Sequence, residues 1–179
     1  MPAYGLRQLE PEHVVPAQSS VVPVALDDIQ SERVRVVYQA WERWRGSRTM
    51  PTRNEIMLRE LGNAAANISL VRALPQENDY EFRVIGDAHV QAYGLNYQGK
   101  RMGDVLKISP RYGKLLKATY DMICAVRRPY AFRGTIGMDA PDINFVWFET
   151  YYLPLGPSPD EVDYVMNAAC YQPRGGTWT

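Results

Sequence analysis

The sequence predicts an α+β domain, and three observations carry that reading. Apolar residues recur at helical spacing over residues 34–44 and 109–127. Elsewhere, short segments rich in Val, Ile, Tyr and Phe alternate or run continuously apolar, as strands do. The order is two helices, two strands, short helices, one longer helix and three strands. Strands and helices grouped in this way form an antiparallel sheet with helices gathered on one face.

Residues 1–26 carry Pro2, Pro11, Pro16 and Pro23 with weak periodicity, which predicts an extended arm, ordered only where something holds it. Asp27 or Asp28, with Ser31 as the later alternative, caps the first helix. Val34, Val37, Tyr38, Trp41 and Trp44 share one face of it, making an amphipathic N-terminal helix. Its acidic residues cluster at the start and Arg43 and Arg45 near the end, the sense that the helix dipole favours, and Gly46 closes it. The linker SRTMPT leads to a second helix, Arg53–Gly62, so residues 27–62 read as a helical N-terminal unit and 63–172 as the main domain.

Within that domain, Ile68–Leu74 and Tyr80–Ile85 read as the first two strands, joined by the PQEND turn. Short helical turns follow at Asp87–Tyr93 and within Lys100–Leu106, and Gly86, Gly94 and Gly99 mark places where a positive φ is cheapest. Ser109-Pro110 begins the longest helix, since Ser caps well and Pro is tolerated in the first turn; it runs to about Arg127 before Pro129. Tyr130–Met138, Asn144–Pro154 and Val162–Tyr171 complete a five-stranded sheet, connected by DAPD and GPSPDE. Residues 173–179 read as a flexible tail.

Composition narrows the function. Twenty basic residues balance twenty acidic ones for a net charge of +0, which points to neither nucleic acid nor an anionic membrane surface. No run approaches the roughly 20 apolar residues of a membrane span, and no signal peptide is expected from the first residues. Cys124 and Cys170 do not make a disulfide framework, so reduced thiols in a cytoplasm are expected. No Cys or His grouping has the spacing of a zinc site, and His89 reads as a polar surface residue.

The segment DYEFRVIGDAHVQAYGLNYQGKRMGDV, from Asp79 to Val105, resembles the second strand and first short helices of a PAS domain. The likeness extends from about Val34 to Tyr171. It is closest to small bacterial single-PAS proteins, through a tryptophan-rich helix, the MPTRNEI linker (Met50–Ile56), FRVIG (Phe82–Gly86), a G-x-x-x-x-G-K turn (Gly94–Lys100) and LPL (Leu153–Leu155). The resemblance implies a PAS-like five-stranded antiparallel sheet under helices. It also implies a stand-alone sensory or scaffold protein that binds a small ligand, a protein partner or both, and no enzymatic activity. With no output domain of its own, such a protein signals in trans to another protein. Flavin and haem are not expected: the flavin-type Asn-Cys-Arg-Phe motif is missing, and the long helix carries no His to ligate haem.

The strand FVWFETYYLPL is apolar on both faces. Taken as a regular alternation, it places Phe145, Trp147 and Glu149 towards the helices. With Tyr120, Ile123, Cys124, Phe132 and Ile136 they make up the expected ligand pocket, with Glu149 either its polar anchor or a cross-strand partner of Arg133. Cys124 reads as a buried thiol. The opposite face, Val146, Phe148 and Tyr152, is expected to meet the stripe Val34, Val37, Tyr38, Trp41 and Trp44. Either that helix folds back on its own sheet or two subunits pair as a homodimer, the arrangement that related PAS proteins favour. Arg43, Arg45, Arg48 and Arg53 beside the tryptophans read as a solvated helix end, with a phosphate ligand as the alternative. A contrasting reading is a cone-shaped ketosteroid-isomerase-like enzyme in which Glu149 works with Tyr120 or Tyr151.

Overall fold

The computed structural model describes residues 15–141 and 143–175. In chain order the elements are β1 (Ser20–Val24), α1 (Glu32–Arg45), β2 (Ile68–Leu74), β3 (Asp79–Ile85), α2 (Asp87–Tyr93), α3 (Met102–Ile108), α4 (Pro110–Val126), β4 (Tyr130–Thr135), β5 (Phe145–Leu155) and β6 (Tyr164–Pro173). The strands form one antiparallel sheet in the order β1-β4-β5-β6-β2-β3. The first hairpin therefore joins the three-strand meander through β2 and β6, with Leu70 opposite Met166 and Val71 opposite Val165.

The sheet has six strands rather than five. The added strand comes from the predicted arm, where Val21, Val22 and Val24 supply β-branched side chains and β4 supplies the partner. Pro23 is tolerated because β1 lies at the sheet edge, where a missing donor costs no ladder bond. The same arm explains why β4 stops at Thr135 instead of Met138: the Gly137 amide donates to Ser19 Oγ (3.0 Å) and the Met138 amide to the Pro16 carbonyl (2.9 Å). The rest of the predicted arm, residues 1–14 with His13, and residues 176–179 of the predicted tail lie outside the described residues.

Helices cover both faces of the sheet, not one. On one face α1 packs through Val34, Val37, Ala40 and Trp41 against Ala131, Tyr151, Leu153 and Leu155. The predicted second helix, Arg53–Gly62, is instead two stretches of 3-10 turn, Arg53–Glu55 and Leu58–Asn67, the second interrupted by Gly62 at φ 52°. It too packs on this face, through Leu61 and Ala64. Ser31 rather than Asp27 or Asp28 precedes α1, because Leu26–Asp28 forms a separate turn. On the other face, α3 and α4 bury Met102, Val105, Leu116, Tyr120 and Ile123 against Val71, Phe82 and Val165.

The segment 79–105 forms as its punctuation predicts, with one difference. Gly94 and Gly99 do take positive φ, but Gly86 does not. Gly86 is needed for space: a Cβ there would lie 2.3 Å from the Ala66 carbonyl oxygen and 2.8 Å from that of Ile68. Strand β3 and the start of α2 can run this close to the preceding segment only without a side chain.

Candidate functional site

The site is built on β5, and a bulge there decides which side chains reach it. Register shifts between Phe145 and Trp147. Beyond the bulge, Phe148, Thr150 and Tyr152 face α4, while Glu149, Tyr151 and Leu153 belong to the α1 side. Phe145 lies on the α4 side as well, because the extra residue of the bulge reverses the alternation. The regular alternation predicted from sequence is therefore inverted for this strand, except at Phe145. Phe148 and Tyr152, expected on the outer interface, line the cavity, and Glu149, expected in the pocket, lies across the sheet from it. Trp147 is half-buried and does not line the cavity.

Between α4, β4, β5 and the β4–β5 loop lies a cavity of about 500 Å³. Phe132 of β4 and Ile136 just beyond its end supply one wall, Leu115, Leu116 and Thr119 the α4 wall, and Ala140 and Ile143 the loop wall. Val21 of the edge strand lines it too, so the arm helps to enclose the site. Gly134 makes room for the Phe148 wall: a Cβ there would lie 2.6 Å from the Phe148 ring and 2.6 Å from the Ser20 carbonyl oxygen, so only glycine lets that ring lie against β4. A deeper cavity of about 40 Å³, room for a water or so, adjoins it and shares Tyr93, Tyr112, Phe148, Thr150 and Tyr152 as walls.

Aromatic rings dominate. Tyr93 stacks on Tyr112 with centroids 4.3 Å apart and meets Phe145 edge-on at 5.5 Å; Phe145 packs against Tyr171 at 4.7 Å. Burial pushes the Tyr93 phenol up to about 12 and holds those of Tyr112, Tyr152 and Tyr171 well above their ordinary value. These hydroxyls therefore stay protonated and serve as neutral donors and acceptors.

His89 is buried beside the deeper cavity, in contrast to the surface position expected from sequence. Its Nε2 lies 3.0 Å from the Asn67 carbonyl, so that nitrogen carries the proton, and Nδ1 accepts from the Tyr171 hydroxyl at 2.8 Å. Burial pushes the imidazole down to about 4, so it is neutral near pH 7.

Among the described lining residues, charge enters only at the rim. Arg111 Nη2 lies 2.7 Å from Asp139 Oδ2, and Nη1 donates to the Asp139 backbone oxygen at 2.8 Å. The other carboxylate oxygen accepts from the Ser19 amide (2.8 Å) and hydroxyl (2.7 Å). The Ser19 hydroxyl and the Arg111 guanidinium together hold the Asp139 carboxyl down to about 2.

Of the residues expected in the pocket, Tyr120, Phe132, Ile136 and Phe145 line one cavity or the other. Ile123 is buried in the core of the α4 layer without reaching either. Cys124 packs at that core's edge, 3.8 Å from the Tyr80 hydroxyl, and burial raises its thiol, which disfavours the reactive thiolate. Glu149 is fully buried, with one oxygen on Arg133 Nε (2.8 Å) and the other accepting the Gln30 and Ser31 amides (2.9 Å each) at the start of α1. It is thus both the cross-strand partner of Arg133 and the anchor of α1. Tyr120 lies on the other side of the sheet, and the Tyr151 hydroxyl donates to the Leu26 carbonyl, so the carboxylate–phenol pair of the enzyme reading is not assembled in a cavity.

The stripe predicted for an interface is covered by the chain's own sheet. Val34 and Val37 are 0% exposed and Trp41 1%, and the Trp41 indole N–H donates to the Pro154 carbonyl at 2.9 Å. Tyr38 stacks on Tyr151 at 4.8 Å, the Trp44 N–H reaches Glu60 at 3.0 Å, and Val146 is buried. This is the fold-back arrangement. In the basic stretch Arg45 pairs with Glu42 and Arg48 with Glu55, while Arg53 lies over the Tyr164 ring.

Sequence reasoning did not single out Tyr93, Tyr112, Thr150, Tyr171, Arg111 or Asp139. The available signal was on α4, where Arg111, Leu115 and Thr119, and Tyr112, Leu116 and Tyr120, recur every fourth residue as a mixed polar and aromatic face. Among the described residues there is no group of three or more His, Cys, Asp and Glu placed to hold a metal ion, and no helix long and apolar enough to cross a membrane. No family model matches the chain, and comparison with curated proteins and with solved structures found no match.

Proposed function

We propose that this chain is a PAS-type sensory module of the cytoplasm that holds a small molecule in the cavity beneath α4. It reports occupancy to another protein and catalyses no reaction. The observation that carries the reading is the cavity itself: about 500 Å³, within the usual range of small-molecule sites, apolar and aromatic with a few convergent hydroxyls. The element order supports it too, with a hairpin, short helices, a long helix and a three-strand meander following an N-terminal helix. Because α1 already covers one sheet face, the surface left to report occupancy is the α4 side and the edge strand β1, whose Val21 touches both cavity and solvent.

Native mass spectrometry of the protein purified without refolding, followed by a thermal-shift screen of metabolites, tests this. A bound species or a saturable stabilisation is expected. Thr119→Trp, which fills the cavity from the half-exposed side of α4, should abolish it while leaving circular dichroism unchanged. Binding that survives Thr119→Trp, or no binding at all, overturns the proposal.

A further inference from the structure

The charge pattern of the cavity says what kind of molecule it accepts, given the ligand-binding reading above. Among the described residues lining the two adjoining cavities, only Arg111 and Asp139 carry charge near pH 7, His89 being neutral in its buried site. Those two pair with each other at 2.7 Å, and both Asp139 oxygens are already engaged, one by Arg111 and one by Ser19. The wall below the rim is apolar or neutral hydroxyl, with Thr150 Oγ1 accepting from Asn167 Nδ2 as part of a buried network.

A carboxylate entering the apolar interior would lose its hydration and meet no cation there, since Arg111 stays at the exposed rim with its Nη1 and Nη2 turned to Asp139. An ammonium group would have to compete for Asp139 with Arg111 on one oxygen and Ser19 on the other. Burying an unpaired ion is far more costly than burying a neutral amide or hydroxyl that finds a hydrogen bond. The rings of Tyr93, Tyr112, Phe145, Phe148 and Tyr152 favour a flat aromatic body, and the phenols offer it neutral hydrogen bonds.

We infer that the cavity takes an uncharged aromatic molecule, and that Asp139 sets this preference by holding Arg111 away from any ligand carboxylate. Asp139 is a specificity-determining residue through Arg111 rather than by touching the ligand's ring. Its contact with Ser19 also ties β1 over the cavity, so rim charge and enclosure are set by one side chain.

Calorimetric titration with three probes on one ring system, naphthamide, naphthoate and naphthylmethylammonium, tests the inference near neutral pH. Naphthamide should bind at least about tenfold more tightly than either charged probe. Asp139→Asn keeps an oxygen for Ser19 but frees Arg111, so naphthoate should gain about tenfold with naphthamide little changed. If that variant fails to fold, Arg111→Gln asks the same question with the sign reversed, and naphthylmethylammonium should gain. The inference is overturned if wild type prefers either charged probe, or if the altered rim leaves the three affinities in the same ratio. Saturable binding by none of the probes would instead count against the ligand-binding reading, and this inference with it.

Discussion

The two faces of the sheet are built to different ends, and β5 contributes to both. Towards α1 it presents Tyr151, Leu153 and Leu155 at 1%, 0% and 0% exposure, and the polar groups there are paired, Trp41 with Pro154 and Glu149 with Arg133 and two amides. Towards α4 the same strand presents Phe148 and Tyr152, only half-buried, around a cavity of about 500 Å³. Close packing makes the first face costly to alter, because every atom removed loses contacts that nothing replaces. The second face has space already, so its side chains stand to gain contacts from a guest. Stability resides on the α1 face and adaptability on the α4 face.

The sharpest way to break that contrast is Trp41→Ala. It removes a buried indole and its hydrogen bond, and should cost about 4 kcal/mol in urea unfolding. A loss near zero would mean that α1 does not seal the sheet. Glu149→Ala comes next, at about 3 kcal/mol, because it strands Arg133 and the Gln30 and Ser31 amides. Glu149→Gln, which keeps an acceptor, should cost visibly less, and equal losses would place the effect in packing rather than pairing.

Acid should reach the cavity face through His89. Its folded pKa of about 4 lies below the unfolded value near 6.5, so the fold favours the neutral ring. That stability is complete above the unfolded value and is lost as pH falls from there towards about 4. Near pH 5 the loss is about 2 kcal/mol. Glu55 and Asp139, both held at about 2, remain ionised in the fold at that pH and contribute little to the slope. Urea curves at neutral pH and near pH 5 should show the drop in wild type and a flatter response in His89→Gln. Matching slopes would remove His89 from the interior.

The smallest effect compares one residue type in two settings. Ile123→Ala, in the filled α4 core, should cost about 3 kcal/mol, and Ile136→Ala, already facing the cavity, about 1 kcal/mol. Equal costs would mean that the cavity closes in solution.

Much of the fold was legible because it depends on local patterns. The strands Ile68–Leu74 and Asp79–Ile85, the helix Asp87–Tyr93 and the long helix Pro110–Val126 lie where alternation, turn glycines and the Ser-Pro start place them. The second helix failed because the backbone leaves helical geometry at Ile56 and Met57, between two 3-10 stretches, within a pattern that looks helical. Among site residues, Tyr120, Phe132, Ile136 and Phe145 were within reach because large apolar side chains on α4 and the meander have few other places to go. His89 was misplaced because an isolated histidine in a short helix carries no mark of the tyrosine and carbonyl that will bury it.

By itself the sequence determined an α+β chain with an antiparallel sheet, a long helix after two strands, and an amphipathic helix that must be covered. Those follow from period and punctuation, which act over a few residues. Only the tertiary structure decided which side of β5 faces the cavity, since both sides are apolar and one bulge between Phe145 and Trp147 reverses their sense. It also decided that Ser20–Val24 joins the sheet and that Asp139 meets Arg111 and Ser19 at the rim. Each of these depends on residues many positions apart, 120 in the case of Ser19 and Asp139, and chain-distant contacts leave no periodic trace for a sequence to show.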